Sequence, residues 1–368
     1  VLYGAHLRSC GPRGDGVYDA TGSASLVKVW FRHSKRTPTP NPMRRKSLPT
    51  SSVIMIVDET AGKINFAWIT CGNPVAQLPN SNDNWKKGLA NIPFVVKVDM
   101  FFNSTCMWSD LVLPVTALFE TPNVTHSVRS TIIQISEAKV TPPGEAKSDL
   151  EITRMVAERF GGLDKYFNED PDVYIKRVIE PAGITLEDLK ERKGIDALTE
   201  LNPDFIAYKD GEFLTKTKKA QFFNKMWVDA GYEGIACHHR PQESILNGGK
   251  YPLASVQRKT RNQVHTTFKN LETMLCMDGH KPTITINAED AAERGIATGD
   301  AVTAFNDRGE HYGVAYVTTH LKKGVVVLEN GWDDVWATSS SNLTNNAYPT
   351  LGSVHCCNST MIDVKKGA

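Results

Sequence analysis

Lys63-Ile64-Asn65-Phe66-Ala67-Trp68-Ile69-Thr70, running into Cys71-Gly72-Asn73-Pro74, is the stretch that decides the fold. Its apolar residues form a run of strand length, and Gly-Asn-Pro closes it with residues that end a strand. Two similar runs follow, Pro93-Phe94-Val95-Val96-Lys97-Val98-Asp99 and Ser109-Asp110-Leu111-Val112-Leu113-Pro114, with a polar helix expected around Asn82 to Ala90. Short, charge-poor strands separated by helical segments predict a parallel sheet covered by helices. Upstream, the apolar stretch from Ser52 to Asp58 fits either a helix turn or a strand.

Downstream, Ile152, Met155, Val156 and Phe160 recur at helical spacing, and Gly161-Gly162 supplies a stop. Residues 170–232 are more charged and mixed, with helices expected near Val173–Glu180 and Lys218–Ala230. The pattern shifts at Asn247-Gly248-Gly249. Beyond it Thr283–Asn287, Ala301–Asn306, Gly313–Thr318, Gly324–Glu329 and Met361–Val364 read as strands, with one helix over Ala288–Arg294. Closely spaced strands divided by turns such as Asn306-Asp307-Arg308-Gly309 predict a compact β-barrel. The expected organisation is a loop-rich start over 1–49, an αβα lobe over 50–140, a mixed helical and loop region over 141–247, and a barrel over 248–368.

Forty-two basic and 41 acidic residues leave a net charge of +1, and no basic stretch is long enough to form a nucleic-acid patch. Met43-Arg44-Arg45-Lys46 sits among prolines and reads as a solvated loop. No run of eighteen apolar residues exists to span a membrane. The chain opens on Val1 and continues through Gly/Pro/Ser-rich segments, which reads as a truncated start. Seven cysteines, none in a C-x-x-C pair, do not make a disulfide framework or a structural zinc site. Cys237-His238-His239 and Cys356-Cys357 are read as ordinary residues, and four N-x-S/T triplets carry no weight for secretion.

Four segments carry chemistry, each with a plainer alternative. Gly72-Asn73-Pro74 with Gln77 ends a strand, where open α/β sheets bind ligands; Gly72 permits close backbone approach and Asn73 offers a donor and an acceptor. Taken alone, the simple Asn-Pro turn closing a strand is the favoured reading. Asp99, at the next strand end, suits ribose hydroxyls or a guanine edge, or else caps a turn. The stretch from Tyr251-Pro252-Leu253 through Arg258-Lys259-Thr260-Arg261 to His265-Thr266-Thr267 gathers basic and hydroxyl groups suited to a diphosphate, or is a charged surface loop. Asn342-Leu343-Thr344 reads by itself as loop.

The order of these segments, with Ile286-Asn287-Ala288-Glu289-Asp290 running on to Gly299-Asp300 and the Asn306–Glu310 turn, resembles the C-terminal half of catalytic subunits of the dimethyl sulfoxide reductase family. The resemblance covers roughly residues 50–160 and 248–368. It implies an α/β fold: a parallel αβα sheet lobe, present in part, plus a C-terminal double-psi-type β-barrel. It also implies an oxidoreductase whose molybdenum, or occasionally tungsten, is held by two pterin guanine dinucleotides, Mo-bis(molybdopterin guanine dinucleotide). Gly72, Asn73, Pro74, Gln77 and Asp99 would then contact one nucleotide. Lys259, His265 and Thr266 would meet phosphate or pterin groups, and Asn342 would lie near a pterin. No residue is assigned as catalytic or as ligand of the metal. A [4Fe–4S] centre is expected only in a missing N-terminal part, since no four-cysteine spacing occurs here. The Tyr251–Asn270 stretch and the Asn306–Glu310 turn look most like the sulfoxide reductase branch, so the expected substrate is a small oxo acceptor such as an S-oxide or N-oxide. An iron–sulfur electron-transfer subunit, a membrane anchor and an extracytoplasmic membrane-associated complex are expected with it. Dehydroxylation, hydroxyl transfer and hydration are alternatives within the family, and a non-catalytic pterin- or nucleotide-binding fragment or split subunit is the alternative outside catalysis.

Overall fold

The computed structural model describes residues 64–125, 132–161, 169–180, 183–196, 208–213, 217–229, 231–347 and 356–367, with the strand Leu26–Lys28 and a few isolated positions. The stretch from Ser52 to Asp58 lies outside the described residues. The chain forms two compact units. One contains Val115–His239, and the other contains Arg240–Ala368 together with the sheet that ends at Pro114.

That sheet has the order β1 (Leu26–Lys28), β2 (Ala67–Thr70), β3 (Val95–Asp99), β4 (Leu111–Pro114). Strands β2, β3 and β4 run parallel, and β1 adds an antiparallel edge from a region expected to be loop. Alternation in β2 buries Ala67 and Ile69, whereas β3 buries Val95, Val96, Lys97 and Val98 in succession, the pattern of a strand covered on both faces. Ile64, Ala67, Ile69, Val75, Trp85, Leu89, Ile92 and Val95 form one apolar cluster. A π-helical turn, Asn82–Lys86, continues into the helix Lys87–Ala90, within the span where a helix is expected. Because the strands are parallel, the loops leaving β2 and β3 emerge at one edge.

The unit containing Val115–His239 has an antiparallel sheet, β5 (Asn123–Thr125), β6 (Ile132–Ser136) and β7 (Gly194–Asp196), and helices Asp149–Phe160, Pro171–Ile179 and Leu186–Arg192. Ser148, Asp170 and Thr185 cap these helices, each accepting a backbone N–H from the first turn. Val124, Ile175, Ile179, Ile184, Leu186, Leu189 and Ile195 form its core. The helix expected over Lys218–Ala230 is confined to Lys225–Asp229, because Lys218 sits at φ +60° in a turn. No described helix is long and apolar enough to cross a membrane.

The C-terminal region is a closed six-stranded barrel of β8 (Leu253–Lys259), β9 (Thr283–Asn287), β10 (Ala301–Asn306), β11 (Gly309–Thr318), β12 (Val325–Asn330) and β13 (Thr360–Lys366), ordered β10-β11-β9-β12-β8-β13. Pairs β11–β9 and β12–β8 are parallel, and the others antiparallel. Leu253, Ile284, Ile286, Val302, Ala304, Ala315, Val326, Leu328, Ile362 and Val364 fill the interior with Ala291, Ile296 and Leu343. Strand β8 corrects the reading of this stretch as loop: Leu253 and Ser255 are buried in alternation, while exposed Arg258 and Lys259 at its end mask the pattern. The helix Glu272–Asp278 was likewise not expected. Asn287 starts the helix Ala288–Ala292 by accepting the Glu289 N–H at 2.8 Å.

Two buried features of the barrel set its stability. His311 on β11 has no exposure, and neither ring nitrogen has a hydrogen-bond partner. Burial pushes its imidazole down to about 4, opposed by the nearby Thr338 backbone, which makes no well-aligned hydrogen bond, and by Asp334. An unfolded imidazole binds its proton near 6.5, so below that value the unfolded chain holds more protons and stability falls as pH drops toward 4. The window is worth roughly 3 kcal/mol. His311→Leu is expected to remove that share of the acid loss in denaturant titrations between neutral pH and pH 4; wild type and variant losing stability in parallel would contradict it. Gly331, just after β12, has φ +96°, and a Cβ there would lie 1.9 Å from the His265 carbonyl oxygen. Gly331→Ala should therefore lower unfolding free energy by about 2–4 kcal/mol with an unchanged denaturant slope.

Candidate cofactor site

The loops leaving β2 and β3 and the loop leaving β12 are joined by one buried carboxylate. Asp333 is 1% exposed. It accepts the Ser104 N–H on both oxygens, at 3.1 and 3.0 Å, the Val335 N–H at 2.9 Å, and the side-chain amide of Asn73, 260 residues away. The Asn73 carbonyl in turn accepts from the Thr105 N–H at 3.2 Å and the Thr105 hydroxyl at 2.8 Å. Asn73 precedes the helix Pro74–Gln77 without capping it by its side chain, since both ends of that amide are committed elsewhere. Pro74 at the first turn presets the helical φ and has no N–H to satisfy.

The contact extends as a polar seam. Hydroxyls of Ser339 and Ser341 each donate to the Ala76 carbonyl at 2.6 Å. The Asn80 N–H donates to Thr344 Oγ1 at 3.4 Å, and Ser104 Oγ accepts the Asp334 N–H at 2.8 Å. Lys86 Nζ lies 2.9 Å from Asp334 and 3.3 Å from Asn342 Oδ1. Asn82 donates to the Arg308 carbonyl at 3.0 Å, at the tip of the β10–β11 hairpin. A Cβ on Gly309 would sit 2.5 Å from Asn82 Nδ2 and 3.3 Å from the Asn342 carbonyl, so a larger residue there would push the Asn82 side chain off the Arg308 carbonyl.

The structure gathers most of the residues singled out in the sequence. Gly72, Asn73 and Pro74 are buried at the β2 edge, and Gln77 Nε2 donates to Thr266 Oγ1 at 3.2 Å across the seam. Buried Asn342 belongs to the short turn Ser340–Asn342 that packs beside Ala76. Asp99 ends β3 and accepts from Lys97 Nζ at 2.5 Å, the Met100 N–H at 2.8 Å and Asn103 Nδ2 at 2.8 Å. Lys97 is wholly buried and also donates to the Val98 carbonyl at 3.1 Å. Asp99 therefore reaches the seam only through its own loop, by way of Asn103, Ser104 and Thr105. His265 has φ +52°, and its carbonyl lies under Gly331. Its imidazole is held below the usual histidine range by burial and then by the Lys259 charge, so it is neutral at pH 7. Lys259 is exposed at the end of β8, in register with Asn330, and makes no ion pair among the described residues.

Three buried oxygens near these loops lack a protein partner: Asn80 Oδ1, Thr260 Oγ1 and Gln263 Oε1. An orphaned buried acceptor costs about 1–3 kcal/mol, so such atoms call for a polar ligand or water. Together with Lys259, neutral His265 and the free lone pairs of Asp99, they make a donor and acceptor set suited to an elongated, anionic, hydrogen-bonding group. The cavity lined by Glu243, Lys250, Tyr251, Asp307 and Arg308 includes none of these residues.

Sequence reasoning missed Asp333, Ser339, Ser341 and Lys86. Only Asn330-Gly331-Trp332-Asp333-Asp334 offered a signal: a glycine at a strand end followed by a tryptophan and two acids. Trp332 is fully buried, its indole N–H donates to Glu329 Oε2 at 3.0 Å, and Lys269 Nζ lies 3.5 Å from its ring centroid. Burial lowers the Lys269 ammonium's affinity for its proton, opposed by Asp278 at 3.2 Å.

Residues 31–159 match the family model described as molybdopterin oxidoreductase, and residues 253–356 match the molydopterin dinucleotide binding domain. The chain is 28% identical over 314 residues to "Probable oxidoreductase YyaE" of Bacillus subtilis (strain 168), covering 82% of this chain and 45% of that protein. It is 26% identical over 370 residues to the dimethyl sulfoxide/trimethylamine N-oxide reductase of Cereibacter sphaeroides, covering 90% and 44%. Its fold matches acetylene hydratase from Pelobacter acetylenicus with TM-score 0.73 at 18% identity, over 88% of this chain and 47% of that one. The chain thus spans less than half the length of each of these proteins. Two models matched in order, one over the lobe and one over the barrel that the Asp333 seam joins, establish that the chain belongs to the dimethyl sulfoxide reductase family of molybdopterin oxidoreductases.

Proposed function

We propose that this chain supplies the dinucleotide-binding half of a molybdenum-dependent enzyme that reduces a small oxo acceptor, an S-oxide or N-oxide. The single observation behind the reading is the seam itself: strand-end loops of the sheet and loops of the barrel are fixed against each other around Asn73, Asp333, Gln77 and Thr266. The substrate class rests on the similarity to a dimethyl sulfoxide/trimethylamine N-oxide reductase. An iron–sulfur electron-transfer subunit, a membrane anchor and an extracytoplasmic location belong to the same proposal.

When bound, the molybdenum–pterin group supplies the two-electron oxygen-transfer chemistry. The chain's residues hold and orient it. Lys259 attracts the diphosphate by charge, and neutral His265 offers one donor and one acceptor beside it. Asp99 keeps lone pairs free for a ribose hydroxyl or a guanine N–H. Asn73 contributes differently from the sequence expectation: Asp333 and Thr105 occupy its amide, so the ligand would meet the Gly72–Pro74 backbone that Asn73 holds in place.

Two substitutions separate binding from folding. Lys259→Ala, at an exposed site, should leave stability within about 0.5 kcal/mol while reducing retained molybdenum and acid-released guanine nucleotide roughly tenfold, the worth of one charge-assisted bond. Asp333→Ala strands the Asn73 amide and the Ser104 and Val335 N–H groups and should destabilise the fold by about 3–5 kcal/mol, the cost of buried donors left unpaired. The assay is metal and guanine content of the assembled enzyme, followed by turnover of an S-oxide, an N-oxide and acetylene. An assembled protein with neither molybdenum nor guanine sinks the cofactor reading. Acetylene hydration without oxide reduction replaces the substrate proposal with the hydratase alternative.

A further inference from the structure

Three different ligand types converge on the helix Glu272–Asp278 and the turn that follows it. Glu272 and Cys276 are four residues apart and share one helix face, with the Cys276 thiol donating to Glu272 Oε1 at 3.4 Å. The third member comes from beyond the helix. Gly279 and His280 both have positive φ, +87° and +59°, and the N–H groups of both bond to the Leu275 carbonyl. That reversal folds His280 back along the helix, placing Nε2 3.4 Å from Glu272 Oε1. A non-glycine residue in the left-handed region is uncommon, and here it is what brings the imidazole to the same face.

Two of the three spacings fall in the range of a coordination sphere. Bonds of 2.0–2.3 Å at tetrahedral angles put neighbouring ligand atoms roughly 3.3–3.7 Å apart. Both contacts to Glu272 are 3.4 Å, and the three ligand atoms lie within 4.8 Å of one another. The base is fixed: Leu275 is buried, and Asp278 accepts from Asn262 Nδ2 at 2.8 Å and from buried Lys269 at 3.2 Å. One carboxylate oxygen, one thiolate sulfur and one imidazole nitrogen suit a borderline divalent ion and not the hard, all-oxygen preference of calcium or magnesium. We propose that Glu272, Cys276 and His280 form a surface site for a zinc-type divalent cation, with water in the fourth position. The proposal does not depend on the proposed function.

The test is titration of the full chain with cobalt(II), read by the thiolate-to-cobalt charge-transfer band and by competition with zinc. One equivalent should bind with the band present and a proton released from the thiol. Cys276→Ser should abolish the band, Glu272→Gln and His280→Ala should each weaken binding at least tenfold, and Cys237→Ser should change nothing. All three ligand residues are exposed, so these variants should retain the wild-type circular dichroism. No band, a band that survives Cys276→Ser, or unchanged affinity in both the Glu272 and His280 variants would overturn the proposal.

Discussion

A carboxylate buried to 1% exposure must have its lone pairs filled, and Asp333 has them filled without a cation among its hydrogen-bond donors. Two backbone N–H groups and one side-chain amide do the work instead. Such donors are directional and fixed in the chain, so they satisfy the charge only when the loops after β2, β3 and β12 stand in one arrangement. An ammonium on a flexible stem could follow the carboxylate; the Ser104 N–H cannot. Loss of one donor would leave part of the desolvation cost uncompensated, and the network is accordingly cooperative.

This interaction acts between parts that each have an apolar core of their own. The lobe packs Ile69, Val75, Trp85 and Leu89, and the barrel packs Ile284, Val302, Leu328 and Ile362, with no member shared between the clusters. The junction is made of Asn73, Lys86, Ser104, Ser339, Ser341 and Thr344. Net stabilisation from each such hydrogen bond is about 1 kcal/mol, much less than an apolar interface would give. What a polar seam supplies is orientation, along with unsatisfied groups at its margin. Those are the properties a junction needs if a polar ligand is to lie along it. Asn80 Oδ1, Thr260 Oγ1 and Gln263 Oε1 are the groups left over.

The strands were legible where a short apolar run of strand length ends in turn residues. Ala67–Thr70 in the lobe, and Thr283–Asn287, Ala301–Asn306 and Val325–Asn330 in the barrel, all fall where apolar residues meet turn residues. Strand β8 was hidden because it ends in polar Gln257 and exposed Arg258 and Lys259, and because its partner β12 lies about seventy residues on. For the site, Gly72, Asn73, Gln77 and Asp99 were visible because strand ends of a parallel sheet advertise themselves. Asp333 was not. A carboxylate whose partner is 260 residues away leaves no local period, and its adjacent Asp334, which pairs with Lys86, makes the pair look like a solvated acidic turn.

Asn73 offers in the sequence an amide that the fold commits to partners far along the chain. Its amide looks available in the sequence because nothing nearby competes for it. In the fold, its nitrogen donates to Asp333 and its oxygen accepts twice from Thr105, while Thr105 Oγ1 also receives the Val75 N–H at 3.3 Å. The side chain is thus an internal strut for the turn from Cys71 to Pro74, where Cys71 takes φ +56°. Replacing Asn73 by aspartate would keep the acceptor and reverse the donor, setting two carboxylates against each other in a buried space. Asparagine is the residue type that can answer Asp333 on one side and Thr105 on the other. The demand for it at this position comes from the protein's own hydrogen bonds before any ligand is considered.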